Sequence, residues 1–328
     1  MIIVTGGAGF IGSNLLAGLE ARGHGPLVVV DFLGHGDKWR NIAKRSLADV
    51  VAPAALPPLL DRHASNITAI FHMGAISATT ETNADLIVAT NIRLTLDLWD
   101  WCTCHEVPFF YASSAATYGD GREGFDDTFS SPALARLRPL NPYGWSKHMV
   151  DRRLCTLVEA GRPTPPRWAG FKFFNVYGPN ETHKDSMRSV VHQIHPIARQ
   201  GEAFALFKSH HPDYADGGQR RDFIWVEDIV QVMLWFLETP APSGLYNLGT
   251  GTARSFADLA SAVYRALGQE PRITYRDMPE TLRPRYQYFT EARMDKLREA
   301  GYRQPFTALE EGVRRYIQDY LEQDDPFR

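Results

Sequence analysis

Apolar runs of strand length alternate with amphipathic stretches through the first half of the chain, at residues 1–5 (MIIVT), 27–31 (LVVVD), 69–71 (AIF), 109–112 (FFYA) and 169–174 (AGFKFF). Strands that are continuously apolar, with helical segments between them, predict a parallel sheet covered on both faces, because each parallel connection needs a crossover. Two more apolar runs lie far downstream, at 223–226 and 245–248. Both are expected to return to the same sheet or its edge. The predicted fold is therefore α/β, a doubly wound parallel sheet with a smaller, interleaved C-terminal lobe. The expected division is residues 1–174 with returning segments 223–249, against 175–222 and 250–328. The stretch 161–170 (GRPTPPRWAG), with three prolines, predicts a surface connection. Residues 209–222 (SHHPDYADGGQRRD) read as a long polar loop of the kind that is functional or mobile.

Chemistry enters at the first strand. Gly6, Gly9 and Gly12 stand in a GxxGxxG arrangement directly after it and at the start of a helix, with Phe10 and Ile11 inside the motif. Glycines permit the tight turn and the close approach of backbone to a pyrophosphate, and the helix N-terminus supplies N–H donors and partial positive charge. In that context the motif predicts a Rossmann-type dinucleotide site. Asp31 ends the next strand, where a carboxylate can accept hydrogen bonds from the adenosine ribose, which favours NAD; Phe32 follows it. Lys38 and Arg40 come shortly after, and a cation there either neutralises the 2′-phosphate of NADP or is a solvated surface charge. The loop 72–77 (HMGAIS) offers Met73, Gly74, Ala75 and Ser77 where backbone must pass the cofactor. Asn91 either bridges backbone groups near that loop or lies on a helix surface.

Ser113, Ser114 and Thr117 follow the fourth strand at its carboxyl end, where ligands bind in open parallel sheets. Tyr143 and Lys147 are four residues apart in NPYGWSKHMVD and share one face of a helix. A free phenol titrates near pH 10, and a neighbouring ammonium together with an oxidised nicotinamide stabilises the phenolate. Tyr143 then serves as a base near neutral pH, Lys147 also holds the nicotinamide ribose, and Ser114 orients the substrate oxygen.

Composition narrows the partners. The 328 residues carry 35 Lys plus Arg against 38 Asp plus Glu, a net charge of −3, with 44% hydrophobic and 22% charged residues. That is an ordinary globular balance, and it argues against nucleic acid as the main partner. The three cysteines, Cys102, Cys104 and Cys155, cannot make a disulfide framework and read as packing residues in a reducing cytoplasm. No run reaches membrane-spanning length, and residues 1–5 already read as a buried strand rather than a signal peptide. The histidines His183, His192, His195, His210 and His211 match no metal-ligand spacing, so no metal is expected.

The segments TGGAGFIG, SSAATYG and YGWSK resemble the extended short-chain dehydrogenase/reductase superfamily almost end to end. Within it, FFNVYGPNETHKDSM, RRDFIWVEDI, LYNLGTG and RYQYFT (285–290) are most similar to the ADP-L-glycero-D-manno-heptose 6-epimerase family. That resemblance implies inversion at C6 of a nucleotide-linked heptose by transient oxidation and re-reduction with bound NADP, NAD being the other possibility, in a homo-oligomer. It also implies two acid/base residues, Tyr143 and Lys184, with anchoring of the substrate diphosphate as the alternative role of Lys184. By the same match Asn175 lies near substrate, Val176 near cofactor, and Ser186, Gln193, Phe207, Ser209, Arg221 and Tyr286 around the nucleotide sugar. This chain departs from the family in carrying Phe32 for a polar residue and Gln193 for a histidine. It also has no lysine between Lys44 and Lys147, where the family offers a second contact to the 2′-phosphate, and longer segments at 121–139 and 210–218. A UDP-hexose 4-epimerase and, from another class, a non-catalytic dinucleotide sensor are the alternatives. A 4,6-dehydratase is disfavoured, because Ala115 and Ala116 occupy the positions where an Asp-Glu pair is required.

Overall fold

A computed structural model describes residues 1–280, 283 and 286–328; Arg285, the first residue of the RYQYFT match, lies outside the described residues. The strands are β1 (Ile2–Thr5), β2 (Leu27–Val30), β3 (Asp49–Val51), β4 (Ala69–His72), β5 (Phe109–Ser114), β6 (Trp168–Phe173), β7 (Asn175–Tyr177), β8 (Phe204–Phe207), β9 (Arg220–Trp225), β10 (Gly244–Leu248), β11 (Ala253–Ser255) and β12 (Ile273–Arg276). Seven of them form one all-parallel sheet in the order β10-β6-β5-β4-β1-β2-β3. Strands β1, β2, β4 and β6 are buried along their whole length, which is why they carry no polar alternation. Helices Phe10–Ala21 and Val226–Glu238 pack on each other so closely that a Cβ on Gly18 would lie 2.5 Å from Val230 Cγ1.

From β1 the chain builds outward through β2 and β3 in one direction and through β4, β5 and β6 in the other. The carboxyl ends of β1 and β4 therefore flank the point where the winding reverses, where a crevice forms in open α/β sheets. After β6 the chain crosses one residue, Phe174, and enters a second, three-stranded sheet ordered β11-β9-β7; β8 and β12 form a two-stranded parallel pair.

One expectation fails, and one strand was not foreseen. The run 223–226 does not return to the large sheet: residues 223–225 end β9, which lies between β7 and β11, and Val226 opens the helix Val226–Glu238. Five of the six β9 residues are buried, so a central strand of a small sheet looks like a core strand of the large one. Strand β3 was not predicted, because it has only three residues, two of them exposed, and runs directly into a proline-bearing turn. The run 245–248 does return, as edge strand β10. Cys102 and Cys155 are buried and Cys104 exposed, and all three are free. No helix among the described residues is long and apolar enough to cross a membrane.

Candidate active site

A cavity of about 750 Å³ runs along the carboxyl ends of β1, β4 and β5 and under the second lobe, a volume suited to a sizeable organic ligand. Its floor is the glycine loop. Gly6 has φ +64°, and a Cβ there would fall 2.6 Å from Gly74, while a Cβ on Gly12 would fall 2.2 Å from the Gly6 carbonyl oxygen. The loop thus packs backbone against backbone and leaves no room for a Cβ at either glycine. Helix Phe10–Ala21 begins without a side-chain cap and without an acid in its first turn, so its N–H groups and positive end remain available for an anion. This end of the cavity fits a dinucleotide pyrophosphate.

Asp31 closes the cavity beside the glycine loop. Its Oδ2 accepts from the Ala8 N–H at 2.9 Å, and its Oδ1 accepts from Lys38 Nζ at 2.7 Å. Both residues line the cavity, as do Met73, Gly74, Ala75 and Ser77. Phe32 does not: it is 68% exposed. Nor does Asn91 line the cavity. It is fully buried, exchanges two 2.9 Å hydrogen bonds with the Ile76 backbone and donates to Ser146 Oγ at 3.0 Å, so it ties the cofactor loop to the helix Pro142–Glu159.

That helix starts at Asn141, whose side chain caps the Gly144 N–H at 2.8 Å. A Cβ on Gly144 would lie 2.7 Å from the Ala116 carbonyl, so the helix start presses on the turn after β5. This contact brings Tyr143 and Lys147 into the cavity with Ser114. Among protein groups alone, burial raises the Tyr143 phenol above its ordinary value, and a hydrogen bond with the Ser114 side chain opposes the rise. Lys147, 2% exposed, is lowered to about 8 by burial, with Asp151 one turn away opposing the shift.

Beneath the helix lies an ion pair between Lys172 Nζ and Asp151 Oδ2, 3.1 Å apart and fully buried. Asp151 also accepts from Tyr111 at 3.0 Å and Ser113 at 2.7 Å, while Lys172 donates to Thr117, which in turn donates to the Ser114 carbonyl at 2.7 Å. Ser113 and Thr117 thus work below the site, joining helix, strand and turn.

The second lobe supplies the roof. Asn175 and Val176 line the cavity from β7, Lys184 from the turn Thr182–Met187, and Arg221 from β9. Glu181, fully buried, anchors that turn by accepting from Ser189 N–H and Oγ and from the Tyr316 hydroxyl. The Lys184 ammonium lies 5.2 Å from the Phe10 ring centroid and is lowered by burial, with Glu181 opposing. The Arg221 guanidinium sits between the Phe256 and Tyr286 rings, 5.6 and 5.2 Å from their centroids. Ser186, Gln193, Phe207, Ser209 and Tyr286 do not line the cavity. Gln193 is exposed and caps the Arg188 carbonyl, Ser209 donates to the His211 carbonyl, and Phe207 lies under Arg276, whereas Tyr286 still touches the site through Arg221. His183, Arg188, Phe256 and Gln287 line it without having been singled out for the site. His183 stands beside Lys184 inside the segment FFNVYGPNETHKDSM that carries the family resemblance, and that was the signal that could have marked it.

A family model for the NAD dependent epimerase/dehydratase family matches residues 2–249. The chain belongs to that family. It is 48% identical over 330 residues, with complete coverage of both chains, to the ADP-L-glycero-D-manno-heptose-6-epimerase of Nitratidesulfovibrio vulgaris strain DP4. Among solved structures it superposes on the Helicobacter pylori enzyme of the same name with a TM-score of 0.78, at 28% identity and covering 97% of this chain and 95% of that one. The UDP-glucose 4-epimerase of Thermus thermophilus, solved with NAD, gives a TM-score of 0.74 at 25% identity, covering 96% and 97%. Family membership makes a nicotinamide dinucleotide the cofactor.

Since Lys147 is held near 8 against about 10.5 for an ordinary lysine, its buried ammonium costs stability below pH 8. The unfolded chain binds the extra proton between those values, so this group makes stability rise with pH across that window. In ¹⁵N-lysine NMR spectra one side chain should titrate near 8 and vanish in Lys147→Met. An unchanged set of titrating lysines in that variant would contradict the assignment.

Proposed function

We propose that the protein inverts C6 of ADP-D-glycero-D-manno-heptose to give ADP-L-glycero-D-manno-heptose, acting in the cytoplasm as a homo-oligomer that light scattering would detect. The observation that carries this reading is that Tyr143 and Lys184, on different lobes, line the same cavity with Ser114 and Arg221 in a chain 48% identical to a protein of that name. A bound nicotinamide dinucleotide supplies the hydride acceptor and donor.

Tyr143 removes the substrate hydroxyl proton, with Ser114 holding the oxygen. Burial raises the phenol, so base function depends on positive charge at its side; the oxidised nicotinamide and the Lys147 ammonium one helical turn away are the groups assigned to supply it. Returning hydride to the opposite face requires the sugar to be presented in a second orientation, and Lys184 then handles the proton. Its ammonium is already weakened by burial, as a lysine acid/base needs. Arg221, rigid between two rings, pairs with the diphosphate. NADP is the dinucleotide favoured here, since Lys38 neutralises the carboxylate that a 2′-phosphate would otherwise meet.

The 4-epimerase alternative rests on a nearly equal structural match and is separated by substrate. Purified protein incubated with ADP-D-glycero-D-manno-heptose is expected to show inversion at C6 by ¹H NMR, with no conversion of UDP-glucose. Turnover of UDP-glucose alone would reverse the conclusion.

A further inference from the structure

Four cations of the segment following β2, namely Lys38, Arg40, Lys44 and Arg45, could meet the phosphate that distinguishes NADP from NAD. Three are drawn away from the cavity. Arg40 lies 4.3 Å over the Phe327 ring and near Asp325, Lys44 pairs with Asp325 at 3.0 Å, and Arg45 pairs with Glu20 at 2.6 Å. Only Lys38 lines the cavity, and its ammonium is bound to Asp31, so that pair together carries no net charge to offer a phosphate dianion.

The turn Thr182–Met187 packs against the turn Asp37–Asn41 that carries Lys38. Its His183 lines the same cavity, and the Nδ1 atom is 3.1 Å from Asn41 Nδ2. Asn41 is buried and also donates to the Ala8 carbonyl, while the Ala8 N–H donates to Asp31. His183 is therefore linked to Asp31 through the Asn41 side chain and the Ala8 peptide, and it lies close enough to feel the charges of Asp31 and Lys38. With Nδ1 accepting from Asn41, the ring proton belongs on Nε2, which remains as a donor.

We propose that His183 is the second protein contact to the 2′-phosphate of NADP, taking the place of an additional lysine, and that it sets a preference for NADP over NAD. This rests on the epimerase reading only for the use of a nicotinamide dinucleotide. Lys184, its neighbour in sequence, is directed to the Phe10 ring at the helix N-terminus, so the two residues serve different parts of the cavity. Burial together with Lys38 and Lys184 holds the His183 imidazole near 4, with Asp31 and Asp185 opposing, so it acts as a neutral donor until an anion arrives.

The purified protein, equilibrated with equal NADP and NAD and freed of unbound nucleotide by gel filtration, is scored by chromatography of what remains bound. The wild-type chain should carry NADP in clear excess. His183→Ala should shift the bound ratio about tenfold toward NAD, the worth of one charge-assisted hydrogen bond, with total occupancy unchanged. His183→Lys should restore the excess. A fall in total occupancy without a change of ratio would overturn the assignment and place His183 at a part common to both dinucleotides. Equal NAD and NADP on the wild-type chain would overturn it as well, while C6 inversion measured on the same preparation would still stand.

Discussion

Tyr143→Phe lowers the rate of C6 inversion by about 10²–10⁴-fold, the usual worth of a positioned acid/base, while the protein keeps its bound dinucleotide. The reason is local. The substitution removes one oxygen at the start of helix Pro142–Glu159, and the ring that remains still fills its place beside Ser114. Of the groups assigned to the cofactor only the Tyr143 hydroxyl is lost; the glycine loop, Asp31, Lys38, the loop 73–77 and Lys147 are untouched. The measurement pairs NMR turnover with the absorbance of nucleotide that copurifies. A variant with turnover within a few fold of wild type would take the base role from Tyr143 and leave Lys184 as the candidate. Loss of cofactor in step with activity would mean that the ring holds the nicotinamide rather than moving a proton.

The second large effect falls on stability. Lys172→Met is expected to cost about 3–5 kcal/mol, because it leaves Asp151 without its cation in a site that water does not reach. The double variant Asp151→Asn, Lys172→Met should be more stable than Lys172→Met alone. Tyr111 and Ser113 donate to different oxygens of Asp151, so the amide introduced at position 151 keeps the acceptor for one of them and turns its NH2 toward the oxygen of the other, and neither member of the ion pair is left as a lone charge. Urea midpoints of wild type, both single variants and the double variant give the coupling between the two positions. Additive losses would show that the two residues are energetically independent despite their 3.1 Å separation. The pair also carries a functional load, since it joins the helix bearing Tyr143 and Lys147 to the turn bearing Ser114. A softened pair should therefore lower turnover even where the fold survives.

These two residues show where sequence reading ends. Tyr143 was legible because its evidence is local: Lys147 lies one helical turn away, and the glycine motif sits between a strand and a helix that any reader of hydrophobic pattern would draw. Lys172 was hidden inside an apolar strand, and Asp151 on a helix face that looks like many others. Their meeting depends on how the helix Pro142–Glu159 settles against β5 and β6. Arg221 could be named by resemblance, but only the stacking of Phe256 and Tyr286 shows how it is held. Conversely, Ser209 and Gln193 were named by the same resemblance, and the structure turns both toward backbone carbonyls. The misplacement of residues 223–226 has a related cause. Burial on both faces makes an apolar strand, whichever sheet provides the burial.

By itself, then, the sequence determined the parallel sheet, the dinucleotide loop and the Tyr143–Lys147 pair, since each is written in residues that are neighbours along one strand, one turn or one helix face. The tertiary structure alone decided that β9 builds a second sheet and that Lys172 answers Asp151. It also decided that Arg40, Lys44 and Arg45 are spent elsewhere, and that His183 meets Asn41 across 142 positions of chain. Those outcomes are set by packing between distant segments. No periodicity records such packing, because the partner of each group is chosen by the shape of the folded core and not by its neighbours in the chain.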